Sequence, residues 1–207
     1  MAGFVGWAGL AGIAAGACLL CLPAYATEDG ERIAVRQCAE CHGPGGRSEK
    51  PDTPSIGGFS EFAIMDLLDS YRLGFRQART VTLDDGSETD MATIVEALSE
   101  EDIEAVALYY ADQEWMPHEQ PFDASLARRG ARIHSVKCGK CHPRGGSVPE
   151  ADHALLAGQW RDYLAGEFRD FDSGARRMAD RMKQRYDTLS QADKAALLEF
   201  YVSAGRY

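Results

Sequence analysis

Histidine and cysteine are scarce in this chain, 5 and 6 among 207 residues. Basic residues also fall short of acidic ones, 22 against 32, for a formal net charge of -10. That balance leaves no phosphate-neutralising footprint, so no nucleic-acid partner is expected and a partner with a basic surface suits the chain better. The acidic excess itself reads most simply as a solvated surface. An alternating strand pattern is missing as well, which removes the βαβ scaffold on which a thioredoxin-type C-x-x-C works. What remains is ordinary globular material, 45% hydrophobic and 26% charged, enough for one large domain or two small ones.

Charged side chains are absent from Met1 to Ala26. The apolar run Phe4 to Leu22, followed by Pro23 and Ala24-Tyr25-Ala26, has the layout of an export signal with an A-x-A cleavage site, which predicts a periplasmic mature chain starting at Thr27. Its first residues hold no Lys or Arg, and the run is about long enough to span a bilayer, so an uncleaved membrane anchor is the alternative. Cys18 lies in a small-residue apolar stretch where free cysteine is common filler, which outweighs lipid attachment. Cys18 and Cys21 leave with the leader.

The other four cysteines fall in one phrase used twice, C-A-E-C-H at 38–42 and C-G-K-C-H at 138–142, with Gly45-Gly46 and Gly145-Gly146 close behind. In an exported protein a C-x-x-C pair could be a disulfide, a redox motif or half a zinc site. The histidine separates these readings, because C-x-x-C-H is the attachment signature of c-type haem. Cysteines at i and i+3 project from one side of a helical turn, close enough for thioether bonds to the two vinyl groups of one porphyrin. The next residue turns its imidazole towards the iron. A zinc site is the bland alternative, and the repetition weakens it sharply. Two covalently attached haem c groups are therefore expected, one on Cys38 and Cys41 with His42 as proximal ligand, one on Cys138 and Cys141 with His142.

The repetition reaches further. A shift of 100 positions carries Gly30 to Gly130, Arg32 to Arg132 and Ile33 to Ile133, while Leu98 to Asp102 matches Leu189 to Asp193 at a shift of 91. The chain is thus an internal duplication whose second copy is shorter in its middle. The expected fold is all-α, two tandem cytochrome c-like helical domains over residues 27–116 and 117–207, with 1–26 as signal peptide. Each copy opens with a helix that ends at the haem phrase and closes with one capped by Ser99 or Ser190, with Asp102 or Asp193 at N3. Phe62 to Arg72 and Trp160 to Asp170 are expected as helices between them. Gly30 and Gly130 would let an aromatic of the closing helix pack close. The proline-rich stretch around Pro117 marks the join.

A methionine opposite the histidine suits electron transfer, whereas an open position suits ligand binding. Met91 and Met182 each stand seven residues before the leucine of the closing motif, which makes them the expected sixth ligands. Met178, one turn before Met182, is the rival in the second copy. Met65 and Met116 have no counterparts and read as core or linker residues. His118, His134 and His153 read as surface or hydrogen-bonding residues.

The duplicated C-x-x-C-H with its L-S-x-x-D closing helix resembles the dihaem cytochrome c4 family across the mature chain. The second half is similar to a narrower group, the cytochrome subunit of flavocytochrome c sulfide dehydrogenase, through Gln120, Phe122-Asp123, Gly130-Ala131, His134, Leu156-Ala157-Gly158-Gln159-Trp160, Tyr163-Leu164, Arg176-Arg177-Met178 and Met182. The segment Thr80 to Asp90 is longer than that pattern. The resemblance implies two domains about a pseudo-twofold axis with neighbouring haems, an FAD-bearing flavoprotein partner and a small soluble cytochrome as acceptor. It also implies no catalytic site in this chain. A free cytochrome c4 serving a terminal oxidase is the alternative, and a haem sensor would need an open sixth position.

Overall fold

The computed structural model describes Met1, Gly3 and residues 22–207, so almost all of the expected leader lies outside the described residues. No helix among those residues is long and apolar enough to cross a membrane. The first half runs α1 (Leu22–Ile33), a π-helical turn (Ala34–Cys38), α2 (Ala39–His42), α3 (Glu61–Arg72), β1 (Val81–Thr82), β2 (Glu88–Thr89), α4 (Met91–Glu96) and α5 (Glu100–Ala111). The second runs α6 (Ala124–Lys137), the single turn α7 (Pro143–Gly146), α8 (Arg161–Ser173), α9 (Asp180–Tyr186) and α10 (Gln191–Val202). The fold is helical as expected, and the β1–β2 hairpin falls on the extra segment 80–90.

Both closing helices start with reciprocal caps. Ser99 accepts from Asp102 N and Ser190 from Asp193 N, while each aspartate accepts from the serine amide, which satisfies amides that the first turn cannot pair. The opening helix of each half then crosses the closing one at a glycine. A Cβ on Gly30 would stand 2.2 Å from the Ala105 carbonyl oxygen, and one on Gly130 would stand 2.1 Å from that of Ala196. The facing backbone approaches more closely than Tyr109 or Phe200, so these glycines admit a helix and not only an aromatic ring.

Two cores result. Ile33, Phe59, Ile64, Val106 and Tyr110 form the first, which also takes in Leu155 from the second half. Leu164, Leu197, Phe200 and Tyr201 form the second. At the join, Trp115 packs with the first core, whereas His118 N donates to Gly158 O at 2.8 Å.

The halves pair through a short antiparallel bridge at Arg76 and Arg176. Gln77 N donates to Ala175 O at 2.8 Å and Arg177 N to Phe75 O at 2.7 Å. At the 100-position shift Gln77 matches Arg177 and Phe75 matches Ala175, so each bond is the equivalent of the other, which is the self-complementary pairing that a twofold axis produces.

Gly30→Ala tests the crossing. Helix propensity alone favours alanine by about 1 kcal/mol, but forcing the helices apart costs about 1–3 kcal/mol. The expected outcome is a lower midpoint of chemical denaturation, and a raised midpoint would show a looser crossing.

Candidate haem sites

A cavity of about 240 Å³ opens beneath α2 in the first half. Cys38, Cys41, His42 and Met91 all border it, and Ile56, Phe59, Ile64, Leu68 and Val106 make its walls apolar. His42 is buried, and its Nδ1 donates to Pro54 O at 2.9 Å. That bond fixes the tautomer and leaves Nε2 as the acceptor nitrogen of the ring. Burial, with Arg76 and Lys50 in lesser roles, holds the imidazole below its usual pKa against the Pro54 bond. It is therefore neutral, the form that ligates a metal. Met91 reaches the cavity as the first residue of α4, where the Asp90 carboxylate caps the helix by accepting from Thr93 N at 2.8 Å.

The extra segment covers this cavity. Val81, Leu83 and Thr89 of the hairpin line it, and Asp84 N donates to Glu40 Oε1 at 2.7 Å, which ties the turn to one of the two residues between the cysteines. Met65 is half-buried against the core and Met116 is exposed at the join, as their lack of counterparts suggested.

The loop that supplies Pro54 is held by the second half. Trp160 Nε1 donates to Ser48 O at 2.9 Å, and Tyr163 N donates to Pro51 O at 2.9 Å. Gln159 clamps Ser55 twice, accepting from its amide at 3.0 Å and donating to its carbonyl at 2.6 Å. The Ser55 hydroxyl bonds His118 Nε2 at 2.8 Å, and the His118 ring stacks on Trp160 at 3.9 Å. The carbonyl that orients His42 thus depends on contacts across the seam.

The second site differs. Cys138 follows α6, Cys141 is exposed, and His142 is half-buried. His142 Nδ1 has no hydrogen-bond partner among the described residues; the position matching Pro54 holds Ala154. Burial, then His153, His134 and Arg176, push the His142 imidazole down to about 4. His134 is buried and bridges His142 O at 2.8 Å and the Tyr201 hydroxyl at 3.1 Å, so it fixes the backbone of the haem phrase. His153 is exposed, its ring 5.1 Å from that of His142.

Met182 lies in the first turn of α9 and is 37% exposed, whereas Met178 is half-buried. The expectation that Met178 lies one helical turn before Met182 does not hold. Ala179 is extended and α9 starts only at Asp180, because Arg177 is drawn into the bridge with Phe75.

The donor chemistry of the first site fits haem c. An apolar cavity meets a neutral histidine nitrogen and a thioether sulfur, and the four described cysteines are free of disulfides. This arrangement is that of a c-type cytochrome. Comparison with known proteins agrees. The family described as cytochrome c oxidase, cbb3-type, subunit III, matches residues 26–109. Cytochrome c-554(548) of Halomonas halodenitrificans is 32% identical over 80 residues, 39% of this chain and 88% of that protein. The thiosulfate dehydrogenase electron acceptor of Stutzerimonas stutzeri is 29% identical over 195 residues, covering 87% of this chain and 84% of that protein. The crystal structure of reduced recombinant cytochrome c4 from Pseudomonas stutzeri superposes with a TM-score of 0.68 at 26% identity, over 86% of this chain and 98% of that one. The chain belongs to the c-type cytochromes, and it is a cytochrome c4-like dihaem electron-transfer protein with covalently bound haem c.

Arg76, Pro54 and the clamp on Ser55 were not singled out from the sequence. Arg76 left a signal, since the 100-position shift matches it to Arg176; Pro54 left none, because its counterpart is alanine.

The seam carries a pH signature. Burial, with Arg47 in a lesser role, pushes His118 from 6.5 down to about 4. The unfolded chain takes up a proton there that the folded chain refuses, so stability falls as pH drops from about 6.5 to about 4. Denaturation midpoints of the wild type and His118→Gln across that window should converge towards low pH. Parallel curves would show that His118 does not set the slope.

Proposed function

We propose that this chain is an exported, periplasmic dihaem carrier that takes electrons from a dehydrogenase acting on a reduced sulfur compound and passes them to a small soluble cytochrome or similar acceptor. The observation that carries the donor class is the similarity, through both halves and the join, to a protein named as the electron acceptor of thiosulfate dehydrogenase. Haem c supplies a one-electron iron couple at each site. In this reading Cys38 and Cys41 tether one haem and Cys138 and Cys141 the other. His42 and His142 are the proximal ligands, and Met91 and Met182 hold the sixth positions. Residues 27–116 and 117–207 are the two domains, a division supported by Trp115 packing on one side of the join and His118 bonding on the other.

A flavoprotein donor is the second reading, favoured by the likeness of Leu156 to Trp160 and of Arg176-Arg177-Met178 to the cytochrome subunit of flavocytochrome c sulfide dehydrogenase. Here Gln159 and Trp160 are engaged with Ser55 and Ser48 and Arg177 with Phe75. Contact between the halves therefore accounts for much of that motif, and a free carrier is the simpler form.

Native purification through a C-terminal tag separates the two. The expected result is two haems per chain at the mass of one chain, no flavin absorbance, and reduction of the ferric protein by thiosulfate with a catalytic amount of thiosulfate dehydrogenase. A co-purifying flavin-bearing chain, with haems that reduce on addition of sulfide, would overturn the free-carrier form.

The ligands have their own test. Met91→Leu and Met182→Leu should each remove about half of the methionine-to-iron charge-transfer absorbance of the ferric protein, and Met178→Leu should leave it intact. Loss in Met178→Leu with none in Met182→Leu would reassign the second site.

A further inference from the structure

Between the halves, one carboxylate is shared by two arginines. Glu167, on α8, is 6% exposed; its Oε1 accepts from Arg76 Nη2 and its Oε2 from Arg176 Nη1. Arg76 and Arg176 are the equivalent residues at which the backbone bridge forms. Arg76 borders the cavity that His42 lines, and Arg176 follows α8, whose Leu164 and Phe168 pack in the core that takes in Cys138. Glu167 itself comes from the second half and borders the cavity of the first.

The duplication does not explain this grouping. A shift of 100 positions brings Arg176 back to Arg76 but Glu167 back to Leu67, so this group holds two guanidiniums on a single carboxylate, beside a separate Arg79–Asp170 pair. Like charges at a twofold contact repel, and burial makes the repulsion costly. One carboxylate between them relieves it and leaves that group of three with a single net positive charge.

We propose that Glu167 is a positioning residue that couples the two haem sites electrostatically, lowering both reduction potentials together while Arg76 and Arg176 each raise chiefly that of their own half. An iron that accepts one electron loses one unit of positive charge, so a nearby anion disfavours reduction and a nearby cation favours it. Glu167 is bonded to both arginines and acts on both irons. Its removal frees the arginines as well, which adds to the effect in the same direction. The inference rests on haem being held at Cys38 to His42 and Cys138 to His142.

Spectroelectrochemical titration of the haem-loaded protein tests it. Glu167→Gln should move both one-electron steps to higher potential, with the methionine-to-iron band and the content of two haems per chain unchanged. Movement of one step alone, or of neither, overturns the coupling. Arg176→Gln leaves Glu167 paired to Arg76 and should lower one step more than the other; equal shifts or none would also overturn it, which keeps the test decisive if Glu167→Gln fails to assemble. A wild-type protein with fewer than two haems would instead defeat the site assignment on which the inference rests.

Discussion

Each half depends on one helix crossing, at which a glycine lets a carbonyl oxygen of the facing helix come within 2.2 Å of where a side chain would begin. That approach sets the distance between opening and closing helices, and with it the place of everything strung between them. The haem phrase continues from α1 or follows α6, and the methionine-bearing helix precedes α5 or α10. A wider crossing would carry cysteines and methionine apart. The loops repeat the same bonds, Ile56 N to Gly46 O at 2.7 Å and Leu156 N to Gly146 O at 2.8 Å, so the duplication preserved the frame along with the motif.

The seam is where the copies diverged. In a pseudo-twofold contact, equivalent residues meet near the axis, so identical large or charged side chains would face one another. The replacements answer that constraint. Gln159 stands opposite Ser55 where the first copy has Phe59, and Glu167 stands between two arginines where the first copy has Leu67. The outcome is unequal sites. His42 is oriented by a carbonyl that the other half holds in place, and His142 sits in a phrase whose backbone is fixed by His134.

Much of this was legible in advance because its signals are local. Capping boxes, glycine spacing and the C-x-x-C-H phrase are set by residues within a turn of one another, and the structure places Ser99, Ser190, Gly30 and Gly130 where the pattern requires. Met91 was singled out through its distance from Leu98, a spacing within one supersecondary unit, and it borders the first cavity. The same reasoning misjudged the ground between Met178 and Met182, since the helix start there depends on Arg177 pairing with Phe75, about a hundred residues earlier in the chain.

The sequence by itself determined the duplication, the helical class, the two attachment phrases and the net acidity, because each is carried by residue identity and short-range spacing. Tertiary structure alone decided which half supports which site. Contacts such as Gln159 with Ser55 and Glu167 with Arg76 join positions 104 and 91 residues apart. Their partners are chosen by proximity to the pseudo-twofold axis, a property of the folded surface that no stretch of the chain encodes locally.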